Sequence, residues 1–282
     1  MVADRRRPQA RRGGCGGLGM SATATTTWST DVSSLEVLTG PRATTVWTGG
    51  SGPALVFFTS EEKSGWNGVA DALAASHTVY VPSLGATEDA LNSMDGLHDM
   101  LIYVLDVLDD LGVDSVVLAG ESFGAMLAAE VAAIAAPRVS KLVLLAPLGL
   151  WDDGVPVPDL YAAPPDVLAA RLFGDATSEA ATSWIASLGD KQAWVDRMRS
   201  MRTAMHFVFP IAEIGLSRRI HRVTAPTLLV WGTADGVVAP SYAAEFCSLI
   251  PGSTVTTIDG AGHYLSAGHP SETATAILNF LG

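Results

Sequence analysis

From about residue 35 onward, short apolar runs alternate with longer segments whose apolar residues recur three to four positions apart. Leu35–Thr39 and Thr44–Thr48 read as short strands on either side of the Gly40–Pro41 turn. Ala54–Phe58 (ALVFF) is apolar without a break, the pattern of a strand covered on both faces. Trp66–Ala75 predicts a helix, and His77–Val81 a strand that stops before Pro82. Over Ser93–Leu111, residues Met94, Leu97, Leu101, Leu105 and Leu108 keep a helical spacing. Val116–Ala119 is strand-like and leads into an alanine-rich helix, Phe123–Ala136, ended by Pro137. Lys141–Ala146, Thr227–Trp231 and Thr254–Ile258 complete the strands. A last helix spans Pro270–Phe280, with proline at a position the first helical turn tolerates.

This order predicts an α/β fold: a mostly parallel sheet with helices on both faces. One region interrupts the alternation. Between Leu148 and Ala225 no strand pattern occurs, while helical spacing recurs. The stretch opens on the proline-rich Val155–Pro165 and carries Trp184, Trp194, Met198, Met201, Met205 and Phe207. It reads as a helical insertion over one end of the sheet, with most of these large side chains forming its own core. Residues 1–34 lack periodicity and read as a disordered tail, in which Met20 offers an alternative start. The expected organisation is a tail (1–34), a core in two pieces (35–147 and 226–282) and a helical cap (148–225).

Composition narrows the function classes. With 48% apolar residues in 282, the chain can bury a large core. Its formal net charge of -12 argues against nucleic-acid or anionic-lipid partners. Five of the 17 basic residues (Arg5, Arg6, Arg7, Arg11 and Arg12) lie in the tail against Asp4 alone. From Ser21 on, 12 basic side chains therefore face 28 acidic ones. The arginine triplet is not followed by an apolar signal region, and no run approaches 18 apolar residues, so neither export nor a membrane span is indicated. Cys15 and Cys247 have neither metal-site nor disulfide-framework spacing, which fits a reduced, cytoplasmic setting.

The strongest chemical signal is Gly120-Glu121-Ser122-Phe123-Gly124, placed where a buried strand meets a helix. A nucleophile on such a turn needs strained backbone angles, and glycines two residues to either side let strand and helix approach. The same turn sets the Phe123 N–H, at a helix start, beside the serine hydroxyl as a candidate oxyanion donor. A base is available in Gly260-Ala261-Gly262-His263, just after the Thr254–Ile258 strand. Asp235 follows the strand TLLVW and is the candidate carboxylate that orients the imidazole. His77, His98, His206, His221 and His269 read as structural or solvent-facing. Ser122, Asp235 and His263 each stand just beyond a predicted strand, which points to nucleophilic acyl transfer without a metal or any other cofactor.

GESFG, WGTADGVV and DGAGHYL resemble the nucleophile elbow, acid loop and histidine loop of α/β-hydrolase fold-1 proteins, from roughly Leu35 to Gly282. The resemblance implies an eight-stranded, mostly parallel sheet with a helical cap inserted after the sixth strand. It implies Ser122 as nucleophile, Asp235 as acid and His263 as base. Serine at the elbow disfavours the dehalogenase and epoxide-hydrolase branches. These families usually carry His-Gly after the third strand, and the next residue gives the second oxyanion N–H. Here the chain reads Thr59-Ser60-Glu61-Glu62. By position Glu61 supplies that N–H, with Ser60 as the alternate. Both glutamate side chains are expected to face solvent; inward, they would select a cationic group or alter the reaction. Trp66, Phe123 and Ser60 are the candidate substrate contacts, for a small molecule with an apolar moiety. Carboxylester hydrolysis is the expected reaction. Lactone or C–C bond hydrolysis, perhydrolysis and non-catalytic ligand binding are the alternatives.

Overall fold

The computed structural model describes residues 28–61, 65–84, 88–160, 163–208 and 213–282. Eight strands form one sheet: β1 (Ser33–Val37), β2 (Thr44–Gly49), β3 (Ala54–Phe58), β4 (Thr78–Pro82), β5 (Val116–Glu121), β6 (Val139–Leu145), β7 (Thr227–Gly232) and β8 (Thr254–Ile258). Their spatial order is β1-β2-β4-β3-β5-β6-β7-β8. β1–β2 and β2–β4 pair antiparallel, and every later pair is parallel. The helices are α1 (Gly68–Leu73), α2 (Glu88–Asn92), α3 (Leu97–Asp110), α4 (Phe123–Ile134), α5 (Pro165–Phe173), α6 (Glu179–Ser187), α7 (Lys191–Val208), α8 (Leu216–Arg219), α9 (Tyr242–Leu249), α10 (Leu265–Gly268) and α11 (Pro270–Leu281). Four of them, α5 to α8, lie between β6 and β7, in the stretch where no strand pattern occurs.

The unbroken apolar runs are explained by burial from both sides. Along β3, Leu55 and Phe57 enter one core layer with α1 and α11, while Val56 and Phe58 enter the other with α3 and α4. β5 and β7 are buried throughout. The edge strand β8 is exposed over four of its five residues, and three of those four are threonines. α4 is wrapped on all sides: eleven of its twelve residues are buried, which is why its sequence shows no polar face. Its one charge, Glu130, is paired with Arg219 of α8.

Boundaries moved where local hydrogen bonding outweighed periodicity. The helix expected from Trp66 starts at Gly68, because the Asn67 side chain accepts from the Ala70 N–H (2.9 Å) and caps it. The helix expected over Ser93–Leu111 is broken: α2 ends at Asn92 and α3 begins after extended Gly96. Of the expected tail, residues 28–34 are held in place. Ser29 donates to Asp71 through its N–H (2.9 Å) and its hydroxyl (2.6 Å), and β1 begins at Ser33. Residues 1–27, including Cys15 and the arginines, lie outside the described residues. Among the described residues no helix is long and apolar enough to cross a membrane.

Gly124 shows how tightly β3 and α4 are joined. A Cβ there would collide with the carbonyl oxygens of Phe58 and Thr59, whereas at Gly96 it would meet nothing within 4 Å. Gly124→Ala is expected to cost about 3 kcal/mol and lower Tm by roughly 5 °C or more. Gly96→Ala should stay close to wild type in the same thermal melt. Equal melting temperatures for the two variants would contradict this packing.

Candidate active site

Ser122 links β5 to α4 with φ 55° and ψ -116°, a backbone conformation that side-chain-bearing residues rarely adopt. Such a residue costs on the order of 1–3 kcal/mol and persists only where its surroundings fix it. The surroundings do so. Ser122 N–H donates to Leu145 O (2.9 Å), and Ser122 O accepts from Met126 (3.1 Å) and Leu148 (3.2 Å). A Cβ at Gly120 would collide with the Gly124 backbone, so both glycines of the motif are required by the close strand–helix approach.

The acid and histidine loops converge on that turn. Val237 and Val238 N–H donate to Asp235 Oδ1 (2.8 and 2.9 Å), leaving Oδ2 to accept from His263 Nδ1 at 2.9 Å. With its proton held at Nδ1, a neutral imidazole presents the lone pair of Nε2, which lies 2.8 Å from Ser122 Oγ. Ser122, 141 residues away in sequence, and His263 are both 0% exposed, and Asp235 is buried. Burial favours the neutral imidazole, but the Asp235 carboxylate, with Glu61 and Glu121 beyond it, outweighs burial and raises the His263 pKa above 6.5.

The inserted helices hold these loops. Arg171 O, at the end of α5, accepts from Gly236 N–H (3.2 Å) and His263 N–H (3.4 Å), and Leu172 O accepts from Tyr264 N–H (2.8 Å). A Cβ at Gly262 would meet the Gly174, Phe173 and Leu172 backbone, so that glycine is needed for the contact. Phe207 of α7 stacks on Phe123 (centroids 6.5 Å), and Phe173 of α5 meets Tyr264 edge-on (6.3 Å). Met201 is likewise buried, whereas Trp194 is exposed.

Two acidic residues occupy places the sequence did not assign them. The expectation that the Glu61 side chain faces solvent is overturned: the residue is buried and its carboxylate turns into the site. Glu61 Oε1 accepts from Ser122 Oγ (3.1 Å) and from the Tyr264 hydroxyl (3.0 Å), and Oε2 from the Phe123 N–H (3.4 Å). Three converging donors draw the carboxylate inward. Glu62 lies outside the described residues. Glu121 ends β5 fully buried; burial pushes its pKa up to about 7, against the opposing pull of the Ser266 hydroxyl and amide. Those two groups, three residues past His263, donate to it at 2.5 and 2.8 Å. Tyr264 and Glu121 sit inside the two quoted motifs, so adjacency to the histidine and the serine was the available signal.

The candidate substrate contacts separate. Phe123 lies at the site under Phe207, and Ser60 is half-buried beside Glu61. Trp66 packs with Leu55, Phe57 and Val69 in the α1–α11 layer, and this burial takes up the ring surface expected to meet substrate. Among the described residues no group of three or more His, Cys, Asp or Glu side chains is placed to hold a metal ion.

Comparison with known proteins agrees with the architecture. The model of the alpha/beta hydrolase family matches residues 21–276. Polyketide synthase ThaQ of Burkholderia thailandensis is 30% identical over 274 residues, covering 88% of this chain but 12% of that much longer protein. Carboxylesterase YbfK of Bacillus subtilis is 27% identical over 67% of this chain and 65% of its own length. Its crystal structure superimposes with a TM-score of 0.69 at 20% identity, over 90% of this chain and 93% of that one. The 2-hydroxy-6-oxononadienedioate/2-hydroxy-6-oxononatrienedioate hydrolase of Cupriavidus pinatubonensis is 26% identical over 85% of this chain and 86% of its own. Sheet order, elbow and family match lead to one conclusion: the chain belongs to the alpha/beta hydrolase family.

Proposed function

We propose that this protein is a serine hydrolase of carboxylester substrates, working through a covalent acyl-enzyme. The observation that carries this reading is the buried relay from Asp235 Oδ2 through His263 to Ser122 Oγ, with steps of 2.9 and 2.8 Å. Ser122 attacks the substrate carbonyl as Nε2 of His263 takes its proton. Asp235 holds the ring and stabilises the imidazolium that forms. The oxyanion is received by the Phe123 N–H and, by position, the Glu61 N–H, once the Glu61 carboxylate has moved away from Phe123. His263 gives its proton to the leaving alcohol, then takes one from a water as that water attacks the acyl carbonyl, and passes it to Ser122 Oγ as the acyl–serine bond breaks and the acid leaves. Residues 148–225 act as the cap, with Phe207 against Phe123 and Phe173 against Tyr264 favouring an apolar portion of the substrate. A small molecule is the only partner this chemistry needs, and no cofactor takes part.

A second reading, hydrolysis of a C–C bond next to a carbonyl, draws on the near full-length similarity to the Cupriavidus hydrolase. The same serine and histidine serve it, with the proton delivered to carbon. A panel of nitrophenyl esters beside vinylogous diketones separates the two.

Three outcomes are expected. A fluorophosphonate probe should label the wild type and leave Ser122→Ala unlabelled, and Ser122→Ala should lose turnover by about 10³-fold or more. Labelling at another residue, or wild-type turnover by the variant, contradicts the reading. Because reaction requires neutral His263 and its pKa is raised, kcat/KM should increase as pH rises through a midpoint above 6.5. Asp235→Asn removes the charge that raises it, so the midpoint should move to lower pH while the rate falls by about 10³-fold or more. A midpoint that stays fixed in Asp235→Asn would show that another group controls the profile.

A further inference from the structure

The oxyanion position of this site is already filled by an anion from the chain itself. Glu61 takes the Phe123 N–H that a reacting carbonyl oxygen needs, and it takes Ser122 Oγ and the Tyr264 hydroxyl as well. A substrate that binds productively must therefore displace the carboxylate from Phe123. The side chain is tethered at Glu61, three residues past the end of β3, so the displaced charge stays close to the new oxyanion. In a site where Ser122 and His263 are 0% exposed, two negative charges at that separation repel with little screening. Asp235 adds further negative charge beside the single imidazole. No Lys or Arg among the described residues forms an ion pair with Glu61. A neutral ester brings nothing to offset this repulsion, and an anionic one adds to it.

We propose that Glu61 determines specificity for substrates that carry an ammonium group one or two carbons from the scissile carbonyl, such as esters of short amino acids. The inference rests on the serine-hydrolase reading and narrows its substrate class. An ammonium in that position gives the displaced carboxylate a charged partner and simultaneously offsets the oxyanion forming beside it. The chain's net charge of -12 raises the local concentration of such cations. Ammonium esters are thus favoured twice, in encounter and in the transition state. Substrates with a carboxylate near the scissile bond are disfavoured at the same place.

The test uses ester pairs that differ only in NH₃⁺ against CH₃: 4-nitrobenzyl glycinate against propanoate, and 4-nitrobenzyl 3-aminopropanoate against butanoate. Wild type is expected to prefer the ammonium member of at least one pair by about tenfold or more in kcat/KM. In Glu61→Gln that ratio should fall by about tenfold, toward the ratio of uncatalysed hydrolysis of the same pair, and Glu61→Asp, which keeps the charge, should retain part of the preference. Equal kcat/KM for both members in the wild type overturns the proposal without recourse to any variant. A preference that survives undiminished in folded Glu61→Gln overturns it as well. Fluorophosphonate labelling of Ser122 in the same preparation separates the two levels. Labelling with no ammonium preference, or with no turnover of either pair, rejects the substrate class alone. An unlabelled Ser122 with no turnover rejects the serine-hydrolase reading on which it rests.

Discussion

Where the chain turns from β5 into α4, Ser122 takes a positive φ that neither strand nor helix supplies, and the surroundings are arranged to hold it there. Gly120 and Gly124 remove the side chains that would otherwise separate the elbow from itself and from the end of β3. Leu145 O and Leu148 N–H then bind its backbone from the β6 side. The strained turn thereby fixes the spacing of three central strands at their carboxyl ends, where ligands bind in open α/β sheets. It also points the first amide of α4 toward the nucleophile, which makes that spot favourable to an anion before any substrate arrives.

The inserted helices are coupled to the same centre through backbone hydrogen bonds. The carbonyls of Arg171 and Leu172, free of helical partners at the end of α5, accept from both the acid loop and the histidine loop. Asp235 and His263 come from different strands, β7 and β8, yet they share this one support. Glu121 adds a second support from below, binding Ser266 and so the backbone just past His263. The imidazole is held between Glu121, next to Ser122, and the end of α5.

Charge gives the site its individual character. Three carboxylates, Glu61, Glu121 and Asp235, surround one imidazole. Ser122 Oγ has a single proton but two acceptors in reach, Nε2 of His263 at 2.8 Å and Glu61 Oε1 at 3.1 Å. The two acceptors compete for that proton, and His263 receives it only while the hydroxyl is turned away from Glu61. An acid product bound in the oxyanion position would create the same pattern. The site is consequently tuned toward positive charge, and the ordinary neutral-ester geometry is reached only after Glu61 moves.

Much of this was legible along the chain, for a physical reason. A strand buried on both faces must be apolar throughout, and a tight strand–helix turn must have glycine. ALVFF, VVLA, TLLVW and GESFG therefore declare the sheet and the elbow from nearest-neighbour constraints alone. Asp235 and His263 were identifiable because each stands one short loop beyond such a strand. Side-chain direction in the turn after β3 was not legible. Glu61 is drawn inward by Ser122, Phe123 and Tyr264, which are 61, 62 and 203 residues away, and no local pattern records that convergence. The burial of Trp66 was not legible either: its ring joins the core layer of α1 and α11, which no local pattern around it records. The sequence by itself determined where Ser122, Asp235 and His263 stand on the sheet, because local backbone and burial requirements encode that. Only the tertiary structure decided that the Glu61 carboxylate joins them at the Phe123 N–H, because that depends on donors brought together from distant segments.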